Sequence, residues 1–241
     1  MSRQLVNELW KQVRDTATDG WNRRDGRVVP EAANLALGND RVELEAVFLY
    51  ADLADSTELA IGRQQIAAEV CKAYISGVTK LVKHNGGEVR SFDGDRVMGV
   101  FIEGPKNTNA VRCALQINTF FRYILAPEFT GYYKTHLDGF NLSQTVGVDR
   151  SDVYVCRAGA RIDNDLIWVG RAPNIAAKLS GVRNGYSTLV TDAVYTSMLP
   201  EVTNDVNSGN NLWHTVTVPG MPDYGVKYVA GTTAEWIFAN V

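Results

Sequence analysis

Two periods of apolar spacing alternate along the chain, and each switch between them marks an element. Leu5, Val6, Leu9, Trp10 and Val13 recur at helical spacing, so the first segment reads as an amphipathic helix broken at Asp19-Gly20. A polar loop follows at residues 23–27, and Pro30 opens a short helix over residues 31–37 that Gly38 closes. An apolar run at residues 45–51 reads as a strand. A long helix is then expected over residues 58–84, interrupted or bent near Gly77 and ended by Asn85-Gly86-Gly87. Residues 88–92 and 97–101 flank Asp93-Gly94-Asp95 and predict a hairpin. A second long helix is expected over residues 106–125, with Ala110, Val111, Ala114, Leu115, Ile117 and Phe121 on its apolar side and Ala126-Pro127 as its end.

A polar, aromatic link at residues 128–141 carries His136, read as a loop histidine. Residues 144–149 and 152–157 read as a further strand pair. A helix around Asn174, a strand at residues 187–191 and a short helix at residues 192–198 come next. After Pro200 the chain reads as edge strands and loops, with apolar segments at residues 213–218 and 227–229. The order β-α-β-β-α-β is the ferredoxin-like one. It predicts an α+β sandwich, a mostly antiparallel sheet with helices on one face. Residues 1–41 are read as a helical leader and residues 42–241 as one domain.

Composition narrows the reading by exclusion. A chain of 241 residues, 45% hydrophobic, can bury a sizeable core. Its net charge of -3 gives no electrostatic case for nucleic acid. No apolar run reaches the roughly 18–20 residues that span a bilayer, and the amino terminus lacks the apolar core of a secretory signal. The expectation is a soluble, cytoplasmic protein with neither nucleic acid nor membrane as a partner. Cys71, Cys113 and Cys156 lack metal-ligand spacing and read as reduced, mostly buried thiols.

Two stretches carry candidate chemistry. The run VFLYADLADST, residues 47–57, leaves a buried strand on Asp52 and starts a helix with Ser56 or Thr57 as the N-cap. A carboxylate beside a helix start, whose free N–H groups favour anions, can hold a metal and a polyphosphate together. The alternative is a capped helix after a core strand, with Asp52 only in the turn. In GGEVRSFDGDRVMGVF, residues 86–101, Asp93 is ordinary turn chemistry, and Asp95 remains as a second carboxylate.

Together these stretches resemble the catalytic domain of the class III nucleotidyl cyclases. A third motif, WVGRAPNIAAKL at residues 168–179, is similar to that family's Trp-Gly-x-x-Val-Asn-x-Ala-x-Arg helix, and the three occur in family order over roughly residues 42–200. The resemblance implies two divalent ions, Mn2+ or Mg2+, bound by Asp52 and Asp95 with the Leu53 carbonyl as a further ligand. It implies that N–H groups around Asp55, Ser56 and Thr57 hold phosphates. It also implies a homodimer with composite sites, in which Asn174 and Lys178 orient the ribose and stabilise the transition state. Lys178 stands where the family has Arg, with Arg161, Arg171 and Arg183 as nearby alternatives; Lys227 is a candidate for the triphosphate lysine. Ser91 and Ile167 replace the Lys and Asp that read adenine, and Tyr50 replaces a Phe. The run from Tyr50 to Thr57 resembles the pyrimidine cyclases of the bacterial anti-phage systems known as Pycsar. The implied activity converts UTP to 3′,5′-cyclic UMP and pyrophosphate, with the product acting on a separate effector. The alternatives are CTP as substrate, a purine (adenylate or guanylate) cyclase, and a non-catalytic nucleotide-binding domain.

Overall fold

Residues 1–236 are described by a computed structural model, in which the chain divides into two units, residues 1–44 with 152–170 and residues 45–151 with 171 onward. The elements in chain order are α1 (Arg3–Thr18), β1 (Asn22–Asp25), β2 (Asp40–Ala54), α2 (Ser56–Ala60), α3 (Gln64–His84), β3 (Glu88–Asp93), β4 (Arg96–Phe101), α4 (Lys106–Phe120) and α5 (Ala126–Tyr132). There follow β5 (Ser143–Gly159), β6 (Asn164–Gly170), α6 (Arg171–Ser180), β7 (Thr188–Thr191), α7 (Asp192–Tyr195), α8 (Pro200–Thr203), β8 (His214–Val216) and β9 (Val229–Thr232). The strand order is β3-β4-β2-β5-β7-β9-β8, with β1 added to β2 and β6 to β5. The β1–β2 and β5–β7 pairings are parallel, and β2–β4, β3–β4, β5–β6, β7–β9 and β8–β9 are antiparallel.

In the first unit, the Ser2 side chain caps α1 by accepting the Leu5 N–H at 3.2 Å. The apolar face of α1 is exposed, with Trp10 at 66%. The polar loop expected at residues 23–27 is largely strand β1. Asp40 draws it alongside β2: its carboxylate accepts from the Asn22 amide at 2.8 Å and the Arg24 guanidinium at 2.7 Å. The helix expected after Pro30 is a single 3-10 turn, Ala32–Asn34.

In the second unit, β2 supplies Val47, Leu49, Ala51 and Leu53 to the main core, where they meet Val70, Tyr74 and Val78 of α3 and Ala110, Val111 and Ala114 of α4. Side chains of a strand alternate between faces, so Tyr50 and Asp52 belong to the opposite face. Helix α6 packs on that opposite face too. Its Ile175 and Leu179 cluster with Leu189 of β7, whereas Val190 faces the main core. Gly147 allows this approach, since a Cβ there would lie 2.2 Å from the Ala176 carbonyl oxygen.

Further elements of the second unit differ from the sequence reading. The helix expected over 58–84 is two, broken at Gly62, whose φ is +72°. Gly77 does not bend α3; it lets the helix meet α4, because a Cβ there would lie 2.3 Å from the Phe120 ring. The second long helix does not stop at Ala126-Pro127. It passes through a π turn, Phe121–Leu125, into α5, which begins with Ala126-Pro127. The strand pair expected at 144–149 and 152–157 is one strand, β5, and the hairpin partner of its second half is β6, which holds Trp168. In the tail, β9 is not an edge strand but lies between β7 and β8.

Candidate active site

Tyr50, Asp52 and Leu53 lie at the end of β2; the strand leaves its β4 partner at Ala51↔Val97, just before Asp52. The chain then turns sharply. Asp55 takes φ 57°, the left-handed region, and is the one non-glycine residue with positive φ among the described residues. That conformation costs of order 1–3 kcal/mol and is held where the surroundings fix it. Asp55 itself stands before α2 with no side-chain cap bond, so Ser56 and Thr57 are the first helical residues rather than its cap. Asp55 and Thr57 are exposed, and Ser56 is half-buried.

The hairpin forms as its sequence demands. Asp93 pairs with Arg96, leaving Gly94 and Asp95 as the two turn residues. Gly94 has φ +63° at the first of them, as a type II′ turn requires. Asp95 is thereby aimed inward: its Oδ2 is buried and has no hydrogen-bond partner. Asp52 is 6% exposed and is held by two guanidinium groups, Arg183 Nη2 on Oδ2 at 2.9 Å and Arg96 Nε on Oδ1 at 3.4 Å. Both carboxylates act electrostatically on the buried Tyr74. That phenol is pushed well above its ordinary value by burial first, then by the charges of Asp52 and Asp95.

The donor set fits divalent metal ions of the Mg2+ or Mn2+ kind. Carboxylate and carbonyl oxygens are the ligands these ions take, and a buried carboxylate oxygen without a hydrogen-bond partner is one that a cation would satisfy. Among the described residues no group of three or more His, Cys, Asp or Glu gathers anywhere, so water and substrate oxygens would complete the coordination.

Tyr50 and Ser91 also meet. Burial raises the Tyr50 phenol above its ordinary value, while the charge of Arg96 and a hydrogen bond with Ser91 act to lower it. Ile167 lies on β6 in the other unit, paired with Cys156 and 46% exposed. Asn174 and Lys178 are both exposed on α6, one turn apart, with Ala172, Ile175, Ala176 and Leu179 turned inward. The Lys178 ammonium is engaged within its own chain: it lies 3.9 Å from the centroid of the Tyr224 ring and bonds the Tyr224 hydroxyl.

The start of α6 is fixed by a buried acid. Asp149, fully buried on β5, accepts from Arg171 Nε at 3.1 Å and Nη2 at 3.0 Å, and from the Thr191 hydroxyl. Burial raises the Asp149 carboxyl, and the Thr191 hydroxyl and Arg171 charge oppose that rise. Of the three alternative arginines, then, Arg171 is committed to Asp149 and Arg183 to Asp52; Arg161 lies at the β5–β6 turn of the other unit. Lys227 is exposed, and its backbone N–H bonds the Asp192 carboxylate. Sequence reasoning missed Arg96 and Tyr74 as neighbours of the carboxylates. The hairpin register could have found Arg96, which follows Asp95 directly. Nothing local marks Tyr74.

No profile of a known protein family matches the chain. Individual relatives do. It is 40% identical over 178 residues to a uridylate cyclase of Rhodovulum sp., covering 73% of this chain and 74% of that one. It is 36% identical over 215 residues to a uridylate cyclase of Xanthomonas perforans, covering 88% and 91%. To that of Burkholderia cepacia it is 35% identical over 212 residues, covering 87% and 90%. Among solved structures, the guanylyl cyclase Cya2 superposes with TM-score 0.63 at 18% identity, over 83% of this chain and 96% of that one. The adenylyl cyclase CyaB from P. aeruginosa does so with TM-score 0.60 at 17% identity, over 83% and 97%. At such low identity the structural likeness speaks to the fold. The sequence relatives speak to more: this chain belongs to the uridylate cyclase family, built on the class III nucleotidyl cyclase fold.

Proposed function

We propose that the chain cyclises a pyrimidine nucleoside triphosphate, UTP by preference, to the 3′,5′-cyclic nucleotide and pyrophosphate. The observation that carries this is the unpartnered, buried Oδ2 of Asp95, in a chain 40% identical to a relative named uridylate cyclase. Asp52, Asp95 and the Leu53 carbonyl would hold two divalent ions, which supply Lewis acidity to the attacking hydroxyl and charge screening at the phosphates. The substrate's 3′-oxygen bonds the α-phosphorus as the bond to the β-phosphate oxygen breaks, and the hydroxyl proton passes to water. For this chain's own residues the work is positioning and charge stabilisation.

The N–H groups around Asp55, Ser56 and Thr57 receive phosphate oxygens. Tyr50 and Ser91 border the base. Asn174 and Lys178 serve the site of a second copy, because both project from the exposed side of α6. The active form is therefore a homodimer with two composite sites. Its product is a messenger for a separate effector protein, in the manner of an anti-phage signal.

Incubating the purified chain with Mn2+ and an equimolar mixture of all four triphosphates tests the reading. Cyclic UMP and pyrophosphate are expected in equal amounts. Cyclic CMP alone would move the preference to CTP. Products from ATP or GTP alone would overturn the pyrimidine assignment, and nucleotide binding without any product would favour the non-catalytic alternative.

A further inference from the structure

Asp52 carries a counter-ion of its own chain. A carboxylate that is 6% exposed must be paired or lose its charge. The stronger of its two partners is Arg183, at 2.9 Å; Arg96, at 3.4 Å, lies beyond the usual N–H···O range. Arg183 is also anchored independently. Its Nη1 donates to the Ser180 carbonyl at 2.6 Å and to that of Val182 at 3.4 Å, at the carboxyl end of α6, where the helix dipole favours a cation. It lines a cavity of about 460 Å³ together with Asn141, Asn184 and Ser187. The guanidinium can therefore leave Asp52 without losing its hold on α6, and has room to do so.

We propose that Arg183 is a positioning residue that competes with divalent metal for Asp52, holding the carboxylate when the site is empty and releasing it when an ion arrives. This inference rests on the reading of Asp52 as a metal ligand. Its physical basis is simple. A cation arriving at Asp52 meets an ion-paired carboxylate and a neighbouring charge of its own sign, and both oppose binding until the substrate's phosphates supply negative charge. Metal alone thus binds weakly, and removing Arg183 removes that opposition.

Mn2+ binding to the intact chain, followed by the electron paramagnetic resonance of free Mn2+ with no nucleotide present, tests this. Arg183→Gln keeps amide donors for the α6 carbonyls and loses the charge. It is expected to bind Mn2+ more tightly than the unsubstituted chain, on the order of tenfold. Arg183→Lys, which keeps the charge but not the planar fork, is expected to stay close to the unsubstituted chain. Circular dichroism checks that both variants fold. Equal Mn2+ affinity in Arg183→Gln and the unsubstituted chain, with Asp52→Asn abolishing binding, would overturn the inference and leave the metal reading standing. Binding that Asp52→Asn does not change would overturn the metal reading itself.

Discussion

Tyr50 and Ser91 flank Met98 in one row across three strands. Met98 pairs with Tyr50 on β2 and with Ser91 on β3, and the Tyr50 hydroxyl lies 2.9 Å from the Met98 sulfur. A β-bulge at residues 89–91 sets this register. The row lies on the face away from α3 and α4, so the phenol ring is a fixed wall there rather than part of the main core.

A fixed wall discriminates by size. Tyr50→Ala is expected to raise turnover of ATP or GTP relative to UTP, whereas Tyr50→Phe keeps the wall and the exclusion. Reactions with competing triphosphates measure the ratio. A ratio unchanged in Tyr50→Ala would make Tyr50 a packing residue and remove the main support for a pyrimidine site.

The two carboxylates differ in what surrounds them, and this separates activity from stability. Both Asp52→Ala and Asp95→Asn are expected to abolish cyclisation. Asp95 Oδ2 has no protein partner to lose, so Asp95→Asn should change stability by less than about 0.5 kcal/mol. Asp52→Ala strands Arg183 and Arg96 and should cost roughly 1 kcal/mol, the low end for an unpaired charge because Arg183 is partly exposed. Urea denaturation of the metal-free chains gives both values. A strongly destabilised Asp95→Asn chain would mean a partner for that carboxylate.

Composite sites predict rescue. Mixing an Asp52→Ala chain with an Asn174→Ala chain should restore activity, since each mixed dimer keeps one intact site. No recovery in a verified mixed dimer would place the site within one chain. Lys178→Ala should lower turnover on the order of 10²–10³, the usual loss of one electrostatic stabiliser, with smaller effect on nucleotide binding. A change of only a few-fold would confine Lys178 to its contact with Tyr224.

The seat of α6 rests on a missing side chain. Gly147→Ala would drive a methyl group to 2.2 Å from the Ala176 carbonyl and 2.6 Å from the Ser180 nitrogen, backbone atoms that cannot rotate away. It is expected to cost about 1–3 kcal/mol and to depress activity through Asn174 and Lys178. A thermal melt matching that of the unsubstituted chain would mean that β5 and α6 separate freely here.

The sequence alone determined what local chemistry decides. Apolar alternation broken by Asp93-Gly94-Asp95 has one low-energy solution, so the hairpin and the place of Asp95 in its turn were legible within a residue, whereas the burial of Asp95 Oδ2 was not. The β2 strand ending near Asp52 and the α6 periodicity around Asn174 were legible for the same reason, as was the ferredoxin-like order of elements. Tertiary structure decided which segment each of these meets. Periodicity reports that a residue is buried but not what buries it. Hence β5 read as a hairpin when its partner was β6, β9 read as an edge when two strands enclose it, and Gly77 read as a bend when it is the floor under Phe120. Arg183 reaches Asp52 across 131 positions of sequence. Only the closure of that long loop by the packed sheet and α6 brings a cation to the carboxylate, and no pattern within either segment could have specified it.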